Sequence, residues 1–135
     1  MIVDTSALLA WFNSDDDAHR SVAVALEAVT DELVISPFVL AELDYLVATR
    51  FGVRAELAVL HEIAGGAWTL PEMTTDDVAA AASVVERYAD QEIGVADASL
   101  VVLAGRFRTR TIATLDRRHF TVLRPLDGGR FRIVP

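Results

Sequence analysis

The chain has no cysteine, and all 12 of its basic residues are arginine, so it has no lysine either. Without cysteine there can be no disulfide, no thiolate-bound zinc and no thiol nucleophile, and a reducing, intracellular setting is expected. Apolar runs are short: none approaches the roughly 18 residues needed to cross a bilayer. The opening Met-Ile-Val-Asp lacks the positively charged start of a secretory leader. A cytoplasmic protein without membrane attachment is therefore expected. Low-complexity segments, internal repeats and linkers rich in Pro, Gly or Ser are also missing. The 135 residues, 53% hydrophobic, are thus expected to bury one core and form a single domain, 1–135.

What is present is mostly acidic, with a formal net charge of −8. That balance opposes a polyanionic partner, but the charge is unevenly distributed. Residues 1–100 carry 4 Arg against 18 acids, whereas residues 101–135 carry 8 Arg against only Asp116 and Asp127. A basic surface can therefore sit on an acidic protein. An all-arginine set suits bidentate phosphate contacts, although GC-rich coding would give the same bias.

Short apolar stretches alternate with helical patterns. Met1–Asp4 reads as a strand running into a helix over Thr5–Asn13. After the loop Ser14-Asp-Asp-Asp17, a helix is expected over Ala18–Val29 and a strand over Leu33–Ile35. Ser36-Pro37 supplies an N-cap followed by proline at the first helical position; this helix carries Val39, Leu43 and Val47 and stops at Gly52. Further helices are expected over Ala55–Ala64, Thr75–Ala89 and Val95–Phe107. Strands are expected over Ala67–Leu70 and Thr111–Ala113, with an edge strand over Phe131–Val134. The alternation implies an α/β fold, a mostly parallel sheet sandwiched between helices. In such folds functional groups gather at the carboxyl ends of the strands.

Four acids stand out against that frame. Asp4 follows the first strand directly; it can cap the next helix, or it can place a carboxylate at the sheet edge with Ser6 holding it. Glu42 has Phe38, Val39, Tyr45 and Leu46 as its helical neighbours, an apolar patch where a buried lone carboxylate needs a partner; at the edge of that stripe it would simply be exposed. Asp97 interrupts the most apolar stretch of the chain and can either cap a helix or lie below the surface, with Asp90 and Glu92 nearby. Asp116 ends the Thr111 strand as Thr-x-Asp, where Thr114 faces the same side and can orient it; strand-end Asp residues are also common turn formers.

Together, four converging carboxylates could not all ionise without a counter-ion. A divalent cation supplies one, and oxygen ligands favour Mg²⁺ or Mn²⁺ over zinc. His19, His61 and His119 show no metal-ligand spacing, and His119 is left out of the catalytic set. Such a site can activate water and stabilise the phosphorus centre in phosphodiester hydrolysis. Arg106, Arg108, Arg110, Arg117 and Arg118 are then expected as a phosphate-gripping rim; helix-end arginines on a solvated surface are the alternative.

The motifs Met1-Ile-Val-Asp-Thr-Ser-Ala-Leu-Leu-Ala, Ser36-Pro-Phe-Val-Leu-Ala-Glu-Leu, Gly94-Val-Ala-Asp-Ala-Ser-Leu and Thr114-Leu-Asp-Arg-Arg-His-Phe together resemble PIN-domain proteins of the VapC toxin family. The resemblance spans essentially the whole chain. It implies a PIN-like three-layer sandwich and a Mg²⁺- or Mn²⁺-dependent endoribonuclease acting on structured RNA, such as tRNA or the ribosomal sarcin–ricin loop. It also implies a homodimer and a VapB-type antitoxin that occludes the site. By position in those motifs, Asp4, Glu42, Asp97 and Asp116 are the acidic set, with Ser6 and Thr114 as supporting hydroxyls. Some relatives carry a further acid shortly after the third one, where this chain has Ser99 and Leu100; the departure bears on a second metal. The segment Ala41–Arg50 together with Gly65-Gly-Ala-Trp resembles an actinobacterial branch.

Rival readings are phosphoryl transfer through Asp4 and a non-catalytic RNA- or partner-binding module. The former needs a lysine beside the phosphoryl group, and its phosphatase form a second Asp where Ser6 stands. The latter is separated from a nuclease by its lack of Mg²⁺-dependent cleavage.

Overall fold

In a computed structural model, which describes residues 1–30 and 32–135, four parallel strands form one sheet flanked by helices. The elements run β1 (Ile2–Val3), α1 (Thr5–Phe12), α2 (His19–Glu27), β2 (Val34–Ile35), α3 (Pro37–Phe51), α4 (Val53–Glu62), α5 (Thr75–Arg87), α6 (Val95–Arg106), β3 (Thr111–Ala113), α7 (Arg117–Val122) and β4 (Arg132–Val134). The strand order is β2-β1-β3-β4, so β1 and β3 are central. Ile2 pairs with both Val34 and Ile112, and Val3 with both Ile35 and Ala113. All six of these residues are fully buried, as expected for strands covered on both faces.

The helices follow from local chemistry. Ser36 caps α3 by accepting the Phe38 N–H at 3.2 Å, with Pro37 at the first helical position. Gly52, at φ 81°, ends α3 and at once becomes the N-cap of α4. Thr74 and Asp77 form a reciprocal capping box on α5. The middle of helix α6 is buried without interruption from Ala98 to Ala104, while its ends, with Asp97 and Arg106, reach the surface. That buried stretch has no solvent face to present, and α6 lies packed against α5, α3 and β1.

Four expectations are corrected. Residues 67–70 do not form a strand. The helix expected to end at residue 64 does not end there cleanly: the chain widens into a π-type turn over Ile63–Ala67, with Gly66 at φ 90°. Only the single bridge Val34↔Thr69 remains, held by Thr69 N–H to Leu33 O at 2.8 Å and Ile35 N–H to Thr69 O at 2.9 Å. Helix α4 begins at Val53 rather than at residue 55, because Gly52 serves both as stop and as start. Helix α7 was not expected from the sequence at all; Asp116, read as a turn former, caps it by accepting the Arg118 N–H at 3.1 Å. The C-terminal edge strand is present as β4.

One polar pair lies inside the core. Ser99 donates its hydroxyl to Ala96 O at 2.6 Å, so Ser36, whose Oγ stands 2.6 Å from Ser99 Oγ, must donate to it. Both serines are fully buried. Ser99→Ala would strand the Ser36 hydroxyl proton, and urea unfolding is expected to show a loss of about 1–3 kcal/mol. An unchanged unfolding midpoint would contradict the pairing.

Candidate active site

The parallel sheet brings β1 and β3 side by side, so Asp4 and Thr114, each one residue beyond its strand, meet at the same carboxyl edge. The Asp4 N–H bonds to Ala113 O at 2.9 Å, which fixes the two chain segments against each other. Although Asp4 occupies the N-cap position of α1, its side chain makes no capping bond. Instead Oδ2 accepts the Ser6 and Thr114 hydroxyls, each at 2.7 Å. Ser6 Oγ in turn accepts the Leu115 N–H at 2.9 Å, and Thr114 Oγ1 accepts the Asp116 N–H at 3.0 Å. The carboxylate is therefore held in one orientation by two hydroxyls that are themselves fixed by backbone.

Asp4 is only 8% exposed. Burial pushes its carboxyl above the ordinary value of 3.8, and the neighbouring Asp97 charge adds to the rise. The Ser6 and Thr114 hydroxyls and the Thr5 N–H pull the other way without cancelling it.

The other three acids arrive on separate elements. Glu42 projects from α3 and accepts the Thr5 hydroxyl at 2.5 Å. It is exposed: Val39 on its helix is buried, but Tyr45 faces solvent, so the apolar patch expected from the sequence does not enclose it. Asp97 lies three residues past the Gly94 N-cap of α6, and its Oδ2 accepts the Gly94 N–H at 3.2 Å. Its Oδ1 faces His119 Nδ1 at 3.4 Å. Asp116 caps α7. All four line one cleft of about 390 Å³, together with Thr5, Ser6, Glu92 and His119. Sequence spacing gave no reason to include His119; its signal was position, three residues after Asp116 on a helix that was not foreseen. Asp90 is exposed and accepts the Gln91 amide; it does not line the cleft.

The arginines divide into two groups. Arg117 and Arg118 open α7 beside the cleft; Arg117 donates to the Pro135 carbonyl and Arg118 to His119 Nε2 at 3.1 Å. Arg106, Arg108 and Arg110 do not rim the cleft, contrary to expectation. They lie at or just past the far end of α6 and before β3, and Asp97 to Arg106 alone spans about 14 Å of helix axis. Arg106 pairs with Asp77 at 2.9 Å and Arg110 with Asp127 at 2.8 Å. The basic excess of the C-terminal segment is thus split between opposite edges of the sheet.

Among the described residues, no arginine pairs with Asp4, Glu42, Asp97 or Asp116. A buried carboxyl beside a second acid, with further acids at the cleft wall and no guanidinium in reach, is a donor set that suits a hard divalent cation. Among the described residues no three acidic or histidine side chains stand together as a ready-made metal cage. The fit lies in donor chemistry and charge.

A parallel sheet with carboxylates converging at its carboxyl edge defines an acidic-cleft α/β domain. The PIN-domain family model matches residues 1–124. A curated relative, ribonuclease VapC26 of Mycobacterium tuberculosis, is 58% identical over all 135 residues, and the alignment covers the whole of both chains. Among solved structures, M. tuberculosis VapC20, described as a sarcin–ricin loop cleaving toxin, superposes with a TM-score of 0.79 at 22% identity, over 86% of this chain and 89% of that one. A VapBC2 complex of Rickettsia felis bound to a promoter DNA fragment gives 0.72 at 18% identity, over 99% and 98%. The chain belongs to the PIN-domain family, in its VapC ribonuclease branch.

Proposed function

We propose that the acidic cleft is the active site of a toxin of a type II toxin–antitoxin system, a metal-dependent endoribonuclease that cuts tRNA or rRNA and so stops translation. The observation that carries this reading is the meeting of four acids from β1, α3, α6 and the end of β3 in one cleft without an arginine partner. Full-length identity of 58% to a protein named as a ribonuclease supports it.

Asp4, Glu42 and Asp97 would hold Mg²⁺ or Mn²⁺, and Asp116 would complete the site or serve a second ion. Such a cation, held by these residues, would supply an activated water and charge compensation at the phosphorus. The chain's own contribution is orientation. Ser6 and Thr114 fix Asp4, the Gly94 N–H holds one oxygen of Asp97, and the Thr5 hydroxyl holds Glu42. Arg117 and Arg118, at the cleft's edge, are placed to meet RNA phosphates.

The partners assigned are a VapB-type antitoxin and a second copy of this chain, in the cytoplasm. The structural neighbours include toxin–antitoxin complexes. An apolar cleft of about 460 Å³ between α1, α3 and α4, lined by Trp11, Phe12, Val47, Phe51 and Val59, supports an antitoxin site. Leu9 lines both this cleft and the acidic one, so a segment lying in the first reaches the second. No helix among the described residues is long and apolar enough to cross a membrane.

The test is to sequence new RNA 5′ ends after brief induction of the chain in cells. New ends concentrated at one position in a tRNA or in rRNA are expected. An end profile matching that of an uninduced culture would overturn the reading and favour a binding module.

A further inference from the structure

His119 is the third residue of α7, its side chain only 11% exposed. One ring nitrogen, Nε2, stands 3.1 Å from the Arg118 guanidinium, and the other, Nδ1, faces Asp97 Oδ1 at 3.4 Å. A guanidinium carries only N–H donors, so Nε2 must be the acceptor. The neutral ring then carries its proton on Nδ1, the nitrogen on the Asp97 side, in contact with that carboxylate at 3.4 Å. The second Asp97 oxygen is already held by the Gly94 N–H. The same Arg118 donates its backbone N–H to Asp116 Oδ1 at 3.1 Å. One dipeptide therefore touches two acids, one in the first turn of α6 and the other the N-cap of its own helix α7.

We propose that Arg118 and His119 form a brace that sets the orientation of the Asp97 carboxylate, making His119 a positioning residue of the acidic cleft. This rests on the reading of that cleft as a metal-dependent nuclease site. A carboxylate offers about four lone-pair directions. The Gly94 N–H takes one, and the imidazole, 3.4 Å from the other oxygen, stands against a second, leaving the others for a cation. Without the imidazole, Asp97 keeps its bond to its own helix but is free to swing on the other side. Partners that orient metal ligands in this way typically change metal affinity or activity by about 10- to 100-fold when removed.

Three readouts on the full chain test the brace. In the metal-free protein, long-range ¹H–¹⁵N NMR of the His119 ring is expected to show the Nδ1–H tautomer. Arg118→Ala, a change at an exposed residue, should lose that preference. Calorimetric titration with Mn²⁺ is expected to weaken about 10- to 100-fold in His119→Ala. His119→Asn, whose amide N–H can take the Nδ1 position, should recover most of the loss. Cleavage of tRNA at a fixed Mn²⁺ concentration should fall in kcat with KM nearly unchanged, because the ring acts through Asp97 and not on RNA. Thermal unfolding without metal separates a loosened site from a misfolded chain, and the ring tautomer and Mn²⁺ affinity of Arg118→Ala serve if His119→Ala does not fold. An Nε2–H ring in the wild type, or wild-type Mn²⁺ affinity in His119→Ala, overturns the brace alone. A wild-type chain that binds no Mn²⁺ and cuts no RNA overturns the nuclease reading, and the role of the brace with it.

Discussion

Asp4→Asn is expected to abolish RNA cleavage while making the metal-free protein more stable. The amide keeps an oxygen that can accept the Ser6 and Thr114 hydroxyls, so the local fold survives. It cannot ionise, so the charge that would hold a cation is gone; the cleavage rate should fall about 10³-fold or more, on the scale of losing a preorganised electrostatic contact. The stability effect has the opposite sign. Burial raises the Asp4 carboxyl above 3.8, so the native state binds this proton more tightly than the unfolded chain does. The stability it contributes is fully present below the unfolded value and is lost as pH rises through the folded one. At neutral pH the ionised group is therefore a cost that Asp4→Asn removes, shifting the thermal midpoint up by about 4 °C for each kcal/mol relieved. Adding Mn²⁺ should raise the wild-type midpoint and leave that of the variant unchanged. A variant that is both less stable and fully active would contradict the assignment on both counts.

Phe120→Ala is expected to be the most damaging single core change, and to reach the active site. Phe120 is 2% exposed, the largest of the fully buried side chains, and meets Phe131 edge-on with ring centres 6.2 Å apart at 82°. Truncating such a residue costs about 3–5 kcal/mol, and loss of the edge-to-face pair adds to the transfer cost. Helix α7 has only six residues, and Phe120 is its one buried side chain. A helix that short does not hold itself by propensity, so without its anchor the placement of Asp116 and His119 should loosen as well. Urea unfolding should show the stability loss, and RNA cleavage at a temperature where the variant is still folded should be lowered. Phe120→Leu, which retains most of the apolar volume, should recover most of both. Wild-type activity in a destabilised but folded Phe120→Ala would show that α7 does not position the cleft.

The two predictions also mark what could be read from the sequence. Strand-then-Asp at residue 4 and the Ser36-Pro37 helix start were legible because each depends on neighbouring residues alone: a short apolar run, a cap, a fixed proline φ. The parallel sheet then places both strand ends at one edge whatever the loops do. Residues 67–70 were not legible in the same way. Gly65-Gly66 looks like a stop, but Trp68 is held against Trp11 and Phe12, with ring centres 6.1 Å away in both cases, and such contacts come from residues more than 50 positions earlier. Helix α7 was hidden for a related reason: its anchor, Phe120, finds its partner at Phe131, beyond a loop. The arginines mislead in the opposite sense. They are adjacent in sequence to Asp116 or to α6, but α6 is long enough to carry three of them to the other edge of the sheet. Charge per segment does not reveal which end of an element a side chain occupies.

The central claim is that these four acids bind a divalent cation and cut RNA with it. Its most direct test is a cation titration of the purified chain, with total tRNA and an rRNA fragment carrying the sarcin–ricin loop, scored as cleavage at single-nucleotide resolution. The account predicts no cleavage in EDTA, discrete cuts restored by Mg²⁺ or Mn²⁺, and no restoration in Asp97→Asn at any cation concentration. Equal cleavage in EDTA, or discrete Mg²⁺-dependent cuts by Asp97→Asn at the wild-type rate, would contradict it.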